Sequence, residues 1–189
     1  PIRTQAFIDG AYHDAASGDT FATTNPATGE HIADIAHCGV DDVDKAVRAA
    51  RRAFDSGVWS RAAPEHRKEV LLKLADLVQA HAHELAVMES TDCGKTITDA
   101  LDEIGGEAVN YIKWYAELAD KTFGKVATTG EDALGLIIKE PAGVAAAILP
   151  WNFPFLMAVW KLATALAAGC SLILKPAEQS PLTTIYLAE

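Results

Sequence analysis

Cysteine is scarce: Cys38, Cys93 and Cys170 are the only thiols in 189 residues. A low, odd count excludes a disulfide framework and reads as reduced thiols, with the cytoplasm as the default compartment. Basic residues are also in deficit, 16 Lys and Arg against 26 Asp and Glu, a net charge of −10. That balance argues against nucleic acid, whose binding draws on a basic patch, and against anionic membrane surfaces. No apolar run reaches the length of a membrane span; the stretch from Phe153 to Leu166 is interrupted by Pro154 and Lys161. The opening PIRTQAFIDG lacks the apolar stretch of a signal peptide. No G-x-G-x-x-G follows a strand. Gly94-Lys95-Thr96 has the tail of a phosphate loop, but Glu89 stands at its leading glycine position. His81 and His83, two apart on a helix, point to different faces and read as solvated rather than as metal ligands. The glutamates along the helices read as surface charge.

What is there suffices for one domain with a sizeable core and a small appendage. Asp9-Gly10, between Phe7-Ile8 and Ala11-Tyr12, signals a hairpin. Thr20 to Thr24 and His31 to Ala36 read as strands joined by the loop Asn25 to Glu30. Three helices are expected next. The first starts near Asp41 as N-cap, with Asp44 three residues on, and shows an apolar face of Val43, Val47, Ala50 and Phe54. The second starts near Pro64, with a stripe of Val70, Leu71, Leu74, Leu77, Val78, Leu85 and Met88. The third carries Ile97, Leu101, Ile104, Ala108, Tyr111, Tyr115 and Leu118.

From Val126 the period changes. Leu134 to Lys139 reads as a partly exposed strand ended by Pro141. Val144 to Leu149 is a continuous apolar run, expected to be a strand buried on both faces. Phe155 to Ala168 is an apolar helix and Ser171 to Lys175 a second buried strand. These make a β-α-β unit with parallel strands. Ligands in such sheets bind beyond the carboxyl ends of the strands, where PWNFP (Pro150 to Pro154) and KPAEQSP (Lys175 to Pro181) emerge. In PWNFP, two prolines stiffen a loop that presents the amide of Asn152, a donor suited to a developing oxyanion; the residues alone favour the plainer reading, a cap for the next helix. In KPAE, Lys175 and Glu178 suit a ribose with vicinal hydroxyls, or a plain surface ion pair. The chain starts at Pro1 rather than Met, and PLTTIYLAE begins like a helix and stops without a cap, so an incomplete chain is expected.

PWNFP, Trp160-Lys161, ALAAG (Ala165 to Gly169) and LKPAEQSP, in this order and spacing, resemble the aldehyde dehydrogenase superfamily in its amino-terminal portion. FIDGAY, NPATGE, Ala49-Ala50-Arg51 with Phe54, ELAVMESTDCGK and Ile138 to Val144 extend the likeness over nearly the whole chain. The resemblance implies an α/β fold: a Rossmann-like cofactor-binding domain with an N-terminal helical layer and an extended hairpin arm, incomplete here. It divides the chain into residues 1–121, the first part of the cofactor-binding domain; 122–140, an arm used for oligomerisation; and 141–189, the first β-α-β of the cofactor site.

The implied parent reaction oxidises an aldehyde to a carboxylic acid with NAD, or NADP, as hydride acceptor. The implied partners are a small aldehyde substrate and further copies of the chain in a homodimer or homotetramer, with no nucleic acid and no membrane. Asn152 matches the amide of the family's oxyanion hole, and Lys161 a lysine given a proton-relay role in some members. Ile148, Leu149, Pro150 and Trp151 match the lining of the cofactor cleft. Lys175, Ala177 and Glu178 match the ribose-binding stretch, where Glu178 would repel a 2′-phosphate and so favours NAD. Thr23, Thr24, Asp92 and Gln179 lie where some members hold a monovalent cation, largely through backbone oxygens. Thr164 and Thr96 stand where the family often has proline. The family's nucleophilic cysteine, glutamate base and glycine-rich cofactor turn match nothing here, and Cys38, Cys93 and Cys170 match none of the nucleophile's positions, so the chain alone is expected to be inactive. The other reading is a non-catalytic cofactor-binding or structural module on the same fold.

Overall fold

The first strands close on turns that their own residues specify. The computed structural model describes residues 2–189. β1 (Ala6–Ile8) and β2 (Ala11–His13) form an antiparallel hairpin across Asp9 and Gly10, whose φ values of 57° and 79° are those of the tight turn that suits strand twist. β3 (Thr20–Thr24) and β4 (His31–Ala36) also pair antiparallel, with a bulge at Thr23/Thr24. In the loop between them Asn25 Oδ1 accepts the Ala27 N–H at 2.9 Å, the local turn that asparagine favours.

α1 (Val40–Ser56) starts one residue before the expected cap. Gly39 is the N-cap, and it is Asp42, not Asp44, whose carboxylate accepts the Gly39 N–H at 2.9 Å. Asp42 is buried because it also accepts the Ala16 N–H at 3.0 Å, tying the helix to the preceding loop. The apolar face is corrected too. Val43 and Val47 are 54% and 44% exposed, and Ala49 is the buried apolar residue of a helix that packs on the parallel strands described below.

The expected second helix is broken at His81 into α2 (Pro64–Ala80) and α3 (Ala82–Cys93). The third is α4 (Ile97–Asp102), a π-helical turn (Glu103–Ala108) and α5 (Val109–Leu118) in unbroken succession. The wide turn contains Gly105 and Gly106, which have no side chains to crowd it, and it turns both Glu103 and Ile104 inward. Leu71, Val78, Leu85, Ile104 and Ile112 make the core of this layer. Burial of each contributes roughly 1.5–3 kcal/mol.

β5 (Lys125–Ala127) and β6 (Gly135–Ile137) form the extended hairpin, with Val126, Leu136 and Ile137 exposed. A Cβ at Gly124 would lie 2.4 Å from the Ile137 carbonyl oxygen, so the arm closes this tightly only with glycine there. β7 (Val144–Ile148), α6 (Pro154–Ala167) and β8 (Ser171–Lys175) then form the expected β-α-β unit, parallel, with Val144 opposite Ser171 and Ile148 opposite Lys175. Phe155 and Val159 of α6 join the helical core. The strands are only partly buried, contrary to expectation, and Ile148 is 84% exposed. β7 and β8 form a two-stranded sheet, which covers only one edge of each strand. α7 (Leu182–Tyr186) follows. Among the described residues no helix is long and apolar enough to cross a membrane.

Candidate active site and cofactor edge

The two loops expected to carry chemistry leave the same edge of the β7–β8 sheet. The parallel ladder continues one step past β7, where the Leu149 N–H donates to the Lys175 carbonyl at 3.0 Å. PWNFP and KPAEQS therefore start side by side. Ser180, completely buried, ties them again: its Oγ donates to the Trp151 carbonyl at 2.9 Å.

Asn152 is exposed on this edge. The N-cap of α6 is Phe153, with no side-chain capping bond, and Pro154 occupies the first turn. The cap alternative for Asn152 is thus not what the structure adopts, and its amide stays available. Lys175 and Glu178 meet in an ion pair, both about half exposed. That contact holds the Glu178 carboxyl below its ordinary range. Ala177 and Leu149 are buried, and Ile148, Pro150 and Trp151 are exposed. Lys161 sits further along α6 with its ammonium 5.0 Å from the Trp160 ring centre, and Trp160 Nε1 donates to the Tyr115 hydroxyl at 3.1 Å.

A cavity of about 530 Å³ joins this sheet edge to the expected cation residues. Thr23, Thr24, Asp92 and Gln179 line it together with Trp151 and Glu178. Asp92 is buried and works as a staple: Oδ1 accepts from the Thr23 hydroxyl at 2.7 Å and Oδ2 from the Leu182 N–H at 2.9 Å. Burial raises its pKa, and those hydrogen bonds offset part of the rise. Among the described residues no cluster of three or more His, Cys, Asp or Glu side chains is arranged for a metal ion. All three cysteines are free, and burial raises both the Cys38 and Cys93 thiols, the reverse of an activated nucleophile.

One cluster contradicts the surface-charge reading of the helical glutamates. Glu89 is 0% exposed and Glu103 6%. Lys95 lies between them, donating to Glu89 Oε1 at 2.7 Å and to Glu103 Oε2. Glu89 Oε2 accepts the Phe155 N–H at 3.2 Å, in the first turn of α6. The Lys95 ammonium also lies 4.5 Å from the centre of the Phe153 ring. Burial first, and then the charge of Glu89, push the Glu103 carboxyl up to about 7 against the pull of Lys95. For Lys95, burial opposes the charge, but the bonds to Glu103 and Glu89 outweigh it and hold the ammonium above its ordinary range. The only local signal for this cluster was a lysine within reach of Glu89 and Glu103, six and eight residues away.

The family model of the aldehyde dehydrogenase family matches residues 12–189. Aminoacetaldehyde dehydrogenase of Pseudomonas aeruginosa is 50% identical over 185 residues, 98% of this chain and 37% of its own length. The NADP/NAD-dependent aldehyde dehydrogenase PuuC of Escherichia coli is 52% identical over 188 residues, 99% of this chain and 38% of its own. The solved aldehyde dehydrogenase KauB from Pseudomonas aeruginosa superposes with a TM-score of 0.98 at 49% identity, over 100% of this chain and 38% of that one. Indole-3-acetaldehyde dehydrogenase AldA of P. syringae, a mutant crystallised with NAD+ and IAA, gives 0.97 at 47% identity, over 100% and 38%. The chain spans a little over a third of the length of these relatives, 37–38%.

Proposed function

The chain belongs to the aldehyde dehydrogenase family, and on that premise we propose that it is the amino-terminal part of an enzyme oxidising an aldehyde to a carboxylic acid with NAD. The carrying observation is the free, exposed amide of Asn152 at the carboxyl end of β7, on a loop bounded by Pro150 and Pro154. An amide held there meets negative charge only as the aldehyde oxygen acquires it, which lowers the barrier without tightening the ground state. The attacking cysteine thiolate and the glutamate base are supplied by residues outside this chain, which alone is inactive.

The cofactor edge fits a dinucleotide. Lys175 offers a cationic donor and Glu178 an ionised acceptor, side by side beyond a parallel strand. They hold the two hydroxyls of a ribose, and Ile148, Leu149, Pro150 and Trp151 line the cleft. A carboxylate at position 178 repels a 2′-phosphate, which favours NAD over NADP. The dinucleotide, when bound, supplies the hydride acceptor. Lys161 serves as a proton-relay group further along α6. Thr23, Thr24, Asp92 and Gln179 hold a monovalent cation in the adjoining cavity, where its charge offsets the cost of the buried Asp92 carboxylate. The β5–β6 arm, with its exposed Val126, Leu136 and Ile137, pairs with another copy of the chain in a homodimer or homotetramer. The free thiols suit the cytoplasm.

Substituting Asn152 in the full-length protein tests the reading. Asn152→Ala is expected to cut kcat by about 10²–10³ while cofactor affinity and melting temperature stay near normal. Asn152→Asp is expected to be no better, since a carboxylate repels the oxyanion. An active but destabilised Ala variant, rescued by Asp, would overturn the assignment.

A further inference from the structure

Alternate residues around Asn152 are each held from below. Trp151 is held at its carbonyl by the Ser180 hydroxyl, Phe153 at its ring by the Lys95 ammonium, and Phe155 at its N–H by the Glu89 carboxylate. Trp151 and Phe153 stay 59% and 42% exposed despite these ties, and the exposed Asn152 side chain lies between them. A carboxylate–ammonium pair with Glu89 completely buried and the Lys95 side chain 11% exposed is a poor way to gain stability, because desolvation cancels most of the attraction and well-packed apolar residues do as well. What it provides is direction. Both Glu89 oxygens are committed, one to Lys95 and one to the Phe155 N–H, so its position is fixed at two points. Glu103 draws the Lys95 ammonium inward from the other side, and its Oε1 has no hydrogen-bond partner.

We propose that Glu89 and Lys95 are positioning residues for the Asn152 amide, fixing the first turn of α6 and the loop before it; this rests on the oxyanion role proposed above. The lever is the peptide between Asn152 and Phe155. A shift of the α6 start moves the amide off the point where the oxyanion forms, and misplacement by about 1 Å can cost on the order of 10² in rate.

The test is a double-mutant cycle in the full-length enzyme, with kcat per titrated active site, NAD affinity by calorimetry, and melting temperature. Glu89→Gln keeps the volume and leaves an acceptor for the Phe155 N–H, but removes the charge that fixes it against Lys95. We expect kcat to fall about tenfold to a hundredfold with NAD affinity unchanged. In the Asn152→Ala background the same substitution should cost less than about twofold further, because the group it positions is already gone. If Asn152→Ala lowers kcat but Glu89→Gln does not, or if the two losses multiply, the positioning role is overturned and the oxyanion reading stands. If Asn152→Ala itself leaves kcat unchanged, both fall. Should Glu89→Gln yield no folded protein, Ser180→Ala enters the same cycle from the opposite side of the loop, where non-additivity with Asn152→Ala is again expected and additivity overturns the clamp.

Discussion

Lys95 with Glu103 and Lys175 with Glu178 are the same residue types in short-range pairs, at opposite depths. In the helical layer the pair lies beside buried Glu89, and burial pushes the Glu103 carboxyl up to about 7. At the sheet edge both partners are about half exposed and the lysine pulls Glu178 below its ordinary range. A buried pair has exchanged its water for fixed partners and can only orient what it touches. An exposed pair keeps its water and can exchange it for a ligand. Solvent access therefore separates the buried network from the exposed edge proposed to bind the cofactor, and α6 connects them: its first turn rests on Glu89, and the loop before it carries Asn152.

The sharpest way to break this contrast is through stability. Phe155 is completely buried where α6 meets the helical core. Phe155→Ala should destabilise the full-length protein by about 3–5 kcal/mol, read as a lower urea midpoint or melting temperature. A loss under about 1 kcal/mol would mean the layer is not the rigid support described here. A smaller and different effect is expected at the edge. Lys175→Ala and Glu178→Ala should each weaken NAD binding by about 1–3 kcal/mol in calorimetry, with little change in melting temperature. If the melting temperature falls and affinity does not, the exposed pair is structural and the contrast fails.

The third effect is a slope. A carboxyl raised from 4.5 to about 7 in the folded protein keeps its proton while the unfolded chain has lost it. The folded state then binds more protons across that window, so stability falls as pH rises from about 4.5 to about 7. Glu103→Gln removes the titrating group, and its unfolding free energy should be flatter over the same window. An unchanged pH profile would show that Glu103 titrates as an ordinary surface carboxyl.

Elements whose conformation is set by near neighbours were legible. Asp9-Gly10, the Asn25 turn, Pro64 at a helix start and the boundaries of β3, β4 and β8 fell where local chemistry puts them. So did the sheet edge where PWNFP and KPAEQSP emerge, because strand direction alone fixes it. Two misreadings concern helix ends, the cap at Gly39 rather than Asp41 and the break at His81; the others concern depth. Val43 and Val47 have helical spacing, yet face out. Glu89 and Glu103 look like surface charge, yet are buried.

The sequence by itself determined most of the strands, which segments are helical though not the break at His81 or the π-helical turn, and which residues stand at the edge of the parallel strands. These depend on backbone sterics and on hydrogen bonds over a few residues, which any stretch of chain carries with it. Tertiary structure alone decided that the Glu89 carboxylate meets the Phe155 N–H, 66 residues away, and that Asn152 is left free while Phe153 starts the helix. A carboxylate's burial depends on whether distant donors arrive to replace its water, and no local pattern encodes that arrival.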